Sequence, residues 1–271
     1  MMPRSFEIIG SKEKAVAIVK IPKGEDEKKI AEEIMKNNKN VKTVLKKVSD
    51  RKGEFRLKEY EIINGDEDTE VIHKEHGYLL KLDPQLVYFS PKEATERQRI
   101  AEQVKENETV LVMFGGIGAL AVAIAKKQPK VKKIISIDSN PQAHEYAIEN
   151  ARINRISHLV YPISGDVNEV CKKFFGTFDR ILMPLPLEAE KFLELAISCL
   201  KERGIIHFYS IDSDEDLFSK SIEKIKKHIK NFKILYKRKV LPFSPHKWKI
   251  VIDIKVRAPI NKNEVRLYEF T

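Results

Sequence analysis

Between Thr109 and Tyr209 the chain repeats one pattern, a short apolar run that reads as a strand followed by a longer amphipathic run that reads as a helix. The strand candidates are Thr109 to Phe114, Val131 to Asp138, Leu159 to Ile163, Asp179 to Met183 and Ile205 to Tyr209. Ala119 to Ala125, Gln142 to Ile153 and Leu187 to Leu200 read as helices between them. Such alternation is the mark of βαβ units on a mostly parallel sheet covered on both faces. Two further strand candidates, Lys233 to Leu241 and Trp248 to Val256, have no helix between them, so the sheet is expected to end in an antiparallel hairpin.

Upstream the pattern differs. Short apolar runs (Phe6 to Ile9, Ala15 to Ile21, Val41 to Leu45, Tyr60 to Ile63, Val71 to His73, Tyr78 to Leu82) are broken by charged turns, with one helix-like stretch from Glu25 to about Met35. We expect a small α+β domain over residues 1–85 and an α/β domain over 86–271. Ser90, Pro91 and Glu93 stand in the order of a capping Ser, a first-turn Pro and a capping-box Glu, which predicts a helix from Pro91 to about Val104.

In a chain of 271 residues the net charge of +10 is more than surface ion pairing needs, and it favours encounter with a polyanion such as nucleic acid. The abundance of Lys and Glu itself reads equally as solubility or as a surface rich in ion-pair networks. No apolar run reaches the roughly 20 residues of a membrane span, and the N-terminal stretch lacks a signal-peptide apolar region, so a cytoplasmic protein is expected. Cys171 and Cys199 form no CxxC pair and read as reduced thiols. His73 and His76 have HxxH spacing but no evident third ligand, so no metal is expected.

The first strand of the alternating region runs into Phe114-Gly115-Gly116-Ile117-Gly118 and then a helix. Glycine is needed where a turn is that tight and a ligand approaches the backbone. The spacing is not GxGxxG, and no Walker-type Gly-Lys-Ser/Thr is present, which disfavours dinucleotide and ATP chemistry. Asp138 ends the next strand, about twenty residues on, where a carboxylate can accept from two ribose hydroxyls. Asp166 follows the third strand in Ser164-Gly165-Asp166, where it can accept from an adenine amino group. Taken singly, Asp138 reads as a helix cap and Asp166 as a turn former. Together, at the carboxyl ends of consecutive strands, they read as a nucleoside site.

This order of motifs resembles the class I S-adenosylmethionine-dependent methyltransferases, with their Rossmann-like sheet. Longer phrases narrow the resemblance: Gly53-Glu-Phe-Arg56, Thr69 to Gly77, Val87-Tyr-Phe-Ser-Pro91, Glu96-Arg97, Asp179 to Pro186 and Gly204 to Tyr209. Together these are similar to the archaeal and eukaryotic tRNA (guanine-37-N1)-methyltransferases over nearly the whole chain. Related wybutosine-pathway enzymes transfer an aminocarboxypropyl group from the same cofactor. The resemblance implies S-adenosylmethionine as cofactor, the anticodon stem-loop of tRNA as partner and a monomer. It implies Glu96 as general base, Arg56 as the cation facing O6 of the target guanine, and Tyr88, Phe114, Gly115, Gly116, Gly118, Asp138, Asp166 and Pro184 around the cofactor. Family members commonly carry Asn where this chain has Pro184, and many begin with a further domain that touches the outer corner of tRNA. Proline offers neither amide nor N–H.

From the residues alone, Arg56 reads as a surface strand residue, Glu96 as a helix partner of Arg99 or a charge near the helix N-terminus, and Tyr88 as ordinary packing. Trp248 reads as edge packing or a base-stacking ring. The lysines of 220–233 and 237–239 read as a solvated face or a phosphate-binding rim. Three activities remain in view: methylation of guanosine 37, action on a modified guanine of the wyosine series, and RNA binding without catalysis.

Overall fold

The computed structural model describes residues 6–48 and 59–257. Its larger sheet has seven strands: β7 (Thr109–Met113), β8 (Lys133–Asp138), β9 (Val160–Ser164), β10 (Phe178–Met183), β11 (Leu200–Ser213), β12 (Phe232–Ser244) and β13 (Lys247–Arg257). Their spatial order is β12-β13-β11-β10-β7-β8-β9. The five strands from β11 to β9 pair in parallel, while β13 pairs antiparallel with both β11 and β12. The expected hairpin therefore closes the sheet. β7 shows why the alternation forces this architecture. Every residue of it is buried, Val110 and Val112 facing one apolar cluster and Leu111 and Met113 the other. A strand apolar on both sides is stable only with helices over both faces. Among the described residues no helix is long and apolar enough to cross a membrane.

Helices α2 (Ala94–Gln103), α3 (Ala119–Lys127) and α4 (Pro141–Ile153) are joined in the covering layers by α5 (Val167–Val170), α6 (Leu193–Cys199) and α7 (Ser219–His228). Three of these depart from the sequence reading. The helix predicted from Pro91 is a 3-10 turn over Pro91–Glu93 followed by α2, and the Ser90 side chain makes no capping bond. Glu93 points instead to Lys249, a long-range partner that outcompetes the local cap. The stretch from Leu187 to Leu200 is a 3-10 turn, Ala189–Phe192, and the shorter α6. Helix α7 was read only as lysine-rich chain, yet Ser221 and Ile225 are buried on one face of it. Several of those lysines are paired, Lys224 with Glu190, Lys226 with Glu223 and, on β12, Lys239 with Asp214, which weakens their reading as a free phosphate rim.

The small domain is a four-stranded sheet in the order β1 (Phe6–Gly10), β2 (Ala15–Val19), β3 (Val41–Lys47), β4 (Tyr60–Gly65), with α1 (Glu27–Asn37) crossing between the parallel β2 and β3. A hairpin, β5 (Val71–Glu75) and β6 (Tyr78–Leu82), ties it to the larger sheet. Asn150 and Asn154, one turn apart on α4, bond the backbone of Lys81 and Leu79 through both amide atoms, standing in for the strand that the β6 edge lacks. On the other side His73 Nδ1 accepts from Gly10 N at 3.2 Å, and its ring lies against Phe89. His73 thus joins the two sheets. The buried Glu75 accepts both arms of the Arg97 guanidinium from α2.

Candidate active site

The strand order reverses between β7 and β10, and open α/β sheets bind ligands at the carboxyl ends of strands beside such a reversal. A cleft of about 310 Å³ lies there. Its wall is drawn from the chain after each strand: Phe114 and Gly116 after β7, Asp138 and Asn140 after β8, Asp166 and Asn168 after β9, Pro184 after β10. Tyr88 and Glu93 line it from the approach to α2, together with Lys249 of β13 and the end of β12.

The glycine turn is built as its composition requires. A Cβ on Gly115 would lie 2.0 Å from Oγ of Ser136 on β8, and one on Gly118, at φ +76°, would press on Ala147 of α4. Gly116, at φ +55°, has open space where a side chain would stand. Phe114 takes φ 61° without being glycine, a costly conformation of the kind that clusters at ligand sites, and its ring packs edge-on against Phe192.

Asp138 accepts from Gly116 N at 2.7 Å and from Asn140 N at 2.9 Å, so its carboxylate is fixed between the glycine turn and the start of α4. Burial raises its pKa, opposed by those two amide bonds. Asn140, not Asp138, caps α4. Asp166 is exposed and caps α5 through Asn168 N at 2.8 Å. The turn-forming role of Asp166 is real, and both of its bonds to Asn168 fall on one carboxylate oxygen. Two carboxylates and a close-approach turn, with no lysine or arginine along this part of the wall, fit a neutral nucleoside bearing a positive centre better than a phosphate.

Tyr88 donates to Glu93 Oε1 at 3.0 Å, and Lys249 Nζ stands 2.9 Å from the same oxygen. Burial alone would raise the Glu93 pKa, but Lys249, with Arg97 and the Tyr88 hydroxyl, brings it below the ordinary carboxylate value. Neither Glu93 nor Lys249 was singled out as a site residue. The only local signal, the capping-box spacing, pointed Glu93 elsewhere.

Glu96 is buried one turn further along α2 and does not line the cleft. Its carboxylate accepts from Arg99 at 2.7 and 2.9 Å and from the Tyr209 hydroxyl at 2.8 Å, with Arg238 Nη1 3.9 Å away. Arg56 lies outside the described residues. Among those described, no group of His, Cys, Asp and Glu side chains has the arrangement of a metal site. Trp248 donates its indole N–H to Asp214 at 2.7 Å under the Lys239 ammonium, which makes it edge packing on the terminal hairpin.

Comparison with known proteins agrees with this architecture. A family profile described as the TRM5/TYW2 methyltransferase domain matches residues 71–236, and one described as the TYW2 N-terminal domain matches residues 1–69. The tRNA (guanine(37)-N(1))-methyltransferase Trm5b of Pyrococcus abyssi is 39% identical over 262 residues, covering 94% of this chain and 76% of that protein. Among solved structures, the complex of aTrm5 and tRNALeu superposes with a TM-score of 0.84 at 35% identity, over 94% of this chain and 73% of that one. M. jannaschii TYW2 in complex with AdoMet superposes with a TM-score of 0.72 at 28% identity, over 94% of this chain and the whole, 100%, of that one. The seven-stranded sheet, the cleft at its reversal and these likenesses together establish that the chain belongs to the TRM5/TYW2 methyltransferase family.

Proposed function

We propose that the protein methylates N1 of guanosine 37 in tRNA with S-adenosylmethionine as donor. The observation that carries this reading is that the glycine turn, Asp138 and Asp166, at the ends of the adjacent strands β7, β8 and β9, line one cleft, in a chain that aligns with a tRNA (guanine(37)-N(1))-methyltransferase over 94% of its length. Bound there, S-adenosylmethionine supplies an electrophilic methyl group on a sulfonium. In this reading Asp138 takes the ribose hydroxyls and Asp166 the adenine amino group, while Gly116 leaves the backbone open to close approach.

The remaining work falls on the target base. Guanine N1 carries a proton and must lose it as the methyl arrives, leaving charge on O6. Glu96 is our candidate acceptor of that proton and Arg56 the cation for O6. Glu96 is held by Tyr209 and Arg99, with Arg238 Nη1 3.9 Å away, and in this reading the target base reaches it flipped from its stack. The net charge of +10 supports tRNA as the partner.

A second reading has its own support: residues 1–69 match a TYW2-type domain, and Pro184 replaces the Asn common in guanosine-37 enzymes. It assigns aminocarboxypropyl transfer, or methylation, to a modified guanine. Mass spectrometry of tRNA after reaction separates the two. An unmodified transcript that gains one methyl at guanosine 37 supports the first. A transcript left unchanged beside a wyosine-precursor tRNA that gains a methyl or a three-carbon amino acid supports the second.

A further inference from the structure

Cys171 and Cys199 stand 28 residues apart in the chain and share no motif, yet the fold sets them side by side. Cys171 opens a single 3-10 turn, Cys171–Phe174, that continues α5, and Cys199 ends α6. The thiol of Cys199 donates to the Cys171 carbonyl at 3.6 Å. Two backbone bonds hold the flanking chain in place, from Gly176 N to Ser198 O at 2.9 Å and from Thr177 N to Cys199 O at 3.0 Å. Both thiols are free, and both residues are fully buried in the apolar cluster on that face of the large sheet.

A single buried cysteine behaves as a small apolar side chain. Two in contact have a chemistry that neither has alone. The Cys199 pKa is raised, first by its hydrogen bond with the Cys171 side chain and then by burial, so Cys199 is held as the thiol and is poorly suited to nucleophilic attack or metal binding. What remains open to the pair is to join.

We propose that Cys171 and Cys199 form an intramolecular disulfide, a covalent link between the turn after α5 and the end of α6. Two S–H bonds break and one S–S bond forms, and the two protons and two electrons pass to an oxidant of the small-molecule disulfide class, which is reduced to two thiols. The turn itself gives access. Lys172, Lys173, Phe175 and Gly176 are exposed around it, and so short a turn can open without unpairing the strands behind it. Once the turn recloses, the bond lies in the core, out of reach of attacking thiolates. The loop it closes contains the whole of β10, so the link restricts the unfolded chain. It also braces one wall of the cleft, because Asp166 caps α5 and α5 runs straight into the tied turn.

The test is incubation of the full chain with oxidised glutathione, then unfolding in the presence of an alkylating reagent and peptide mass mapping without reductant. The expected product joins the peptides that carry Cys171 and Cys199, is two hydrogens lighter than the reduced pair, and leaves no thiol to alkylate. Its melting temperature should exceed that of the reduced protein by roughly 5 to 10 °C, the gain expected for closing a loop of this length, and reductant should reverse both changes. Cys171→Ala and Cys199→Ala should each show neither the cross-link nor the oxidant-dependent rise. Should either variant fail to fold, the mapping of the wild-type chain decides alone. Complete alkylation of both cysteines after oxidation overturns the inference, as does a stable mixed disulfide with glutathione on either residue or a link between two chains. A bond that forms but lowers the melting temperature also overturns it, because the native geometry then does not accommodate the link.

Discussion

Arg180 Nη1 lies 2.8 Å from Nε2 of His207, and both side chains are buried under α2. A guanidinium can only donate, so Nε2 is the acceptor and the ring proton sits on Nδ1, 2.6 Å from Asp253 Oδ1. Burial lowers the His207 pKa, Asp253 pulls it up, and Arg180 and Arg99 push it down again, leaving the ring neutral. Asp253 is buried too, but His207 and Arg99 outweigh burial and hold it well below the carboxylate range. Arg99 then bridges Asp253, at 2.5 Å, to Glu96. The candidate base is therefore held by a chain of fixed protons that crosses three strands, β10, β11 and β13.

Breaking that chain in the middle should be expensive. Asp253→Asn leaves Arg99 and His207 facing an amide and removes the charge that balances the guanidinium. We expect a loss of about 3 to 5 kcal/mol in urea unfolding, the usual cost of orphaning one member of a buried pair. His207→Gln can still accept from Arg180 and donate to Asp253, so it should cost clearly less. Equal destabilisation by the two variants would mean that packing of the imidazole, not the proton order, carries the effect.

Glu75 gives the protein an acid limit. Burial alone would raise its pKa, but Arg97, His73 and Tyr78 reverse this and bring it from 4.5 to about 2. A depressed carboxylate contributes stability that is complete above its unfolded value and disappears as pH falls through its folded one. Unfolding free energy should thus decline from about pH 5 toward pH 2, by on the order of 3 kcal/mol for this group. Glu75→Gln should flatten that part of the curve. Native-state hydrogen exchange should show the β5–β6 hairpin opening first, because Glu75 is its tie to α2.

The sheet was legible because its cause is local. Val110 to Met113 is apolar at every position, and a strand buried on both faces announces helices above and below. Asp138 and Asp166 were legible for a similar reason, since their place at strand ends follows from the strands. What the sequence hid depends on distant partners. Asn150 and Asn154 look like helix-surface residues until β6 lies beside them, and α7 looks like solvated lysine until Ser221 and Ile225 find a core. Glu93 is the clearest case. Its spacing from Ser90 satisfies a helix-cap rule, yet Lys249, more than a hundred and fifty residues away, supplies a full charge where the cap offers one N–H.

Gly115 offers a test of the cofactor turn that does not touch a charged group. Gly115→Ala puts a Cβ 2.0 Å from Ser136 Oγ and should distort the turn, weakening nucleoside binding and lowering stability by about 1 to 3 kcal/mol. Adding Ser136→Ala removes the oxygen, and the nearest remaining side-chain contact is Ser136 Cβ at 3.3 Å. The double variant should recover much of both losses, a non-additivity expected only for residues in direct contact. Additive losses in melting temperature and 5′-methylthioadenosine affinity would show that the turn fails for another reason.

The last prediction concerns Glu96, whose geometry makes two roles equally concrete. As a structural residue it anchors Arg99 and Tyr209; as a base it accepts the N1 proton when guanine arrives. Glu96→Gln keeps the size of the side chain and, through its one amide oxygen, can still accept from Arg99 Nη2 and Tyr209, but it loses the Arg99 Nε bond and cannot take up a proton. If the residue is the base, single-turnover methylation at saturating enzyme and cofactor should fall by about 10² to 10⁴, with cofactor affinity nearly unchanged. Arg56→Ala should also slow the step, by about 10² or more, through loss of the charge facing O6. Because both act on one transition state, the double variant should lose less than the product of the two factors. The pH profile completes the argument. At high pH, where guanine N1 loses its proton to water, the variant should draw closer to wild type. A Glu96→Gln enzyme with the wild-type rate and profile but a lower melting temperature would assign Glu96 to the Arg99–Asp253 network alone.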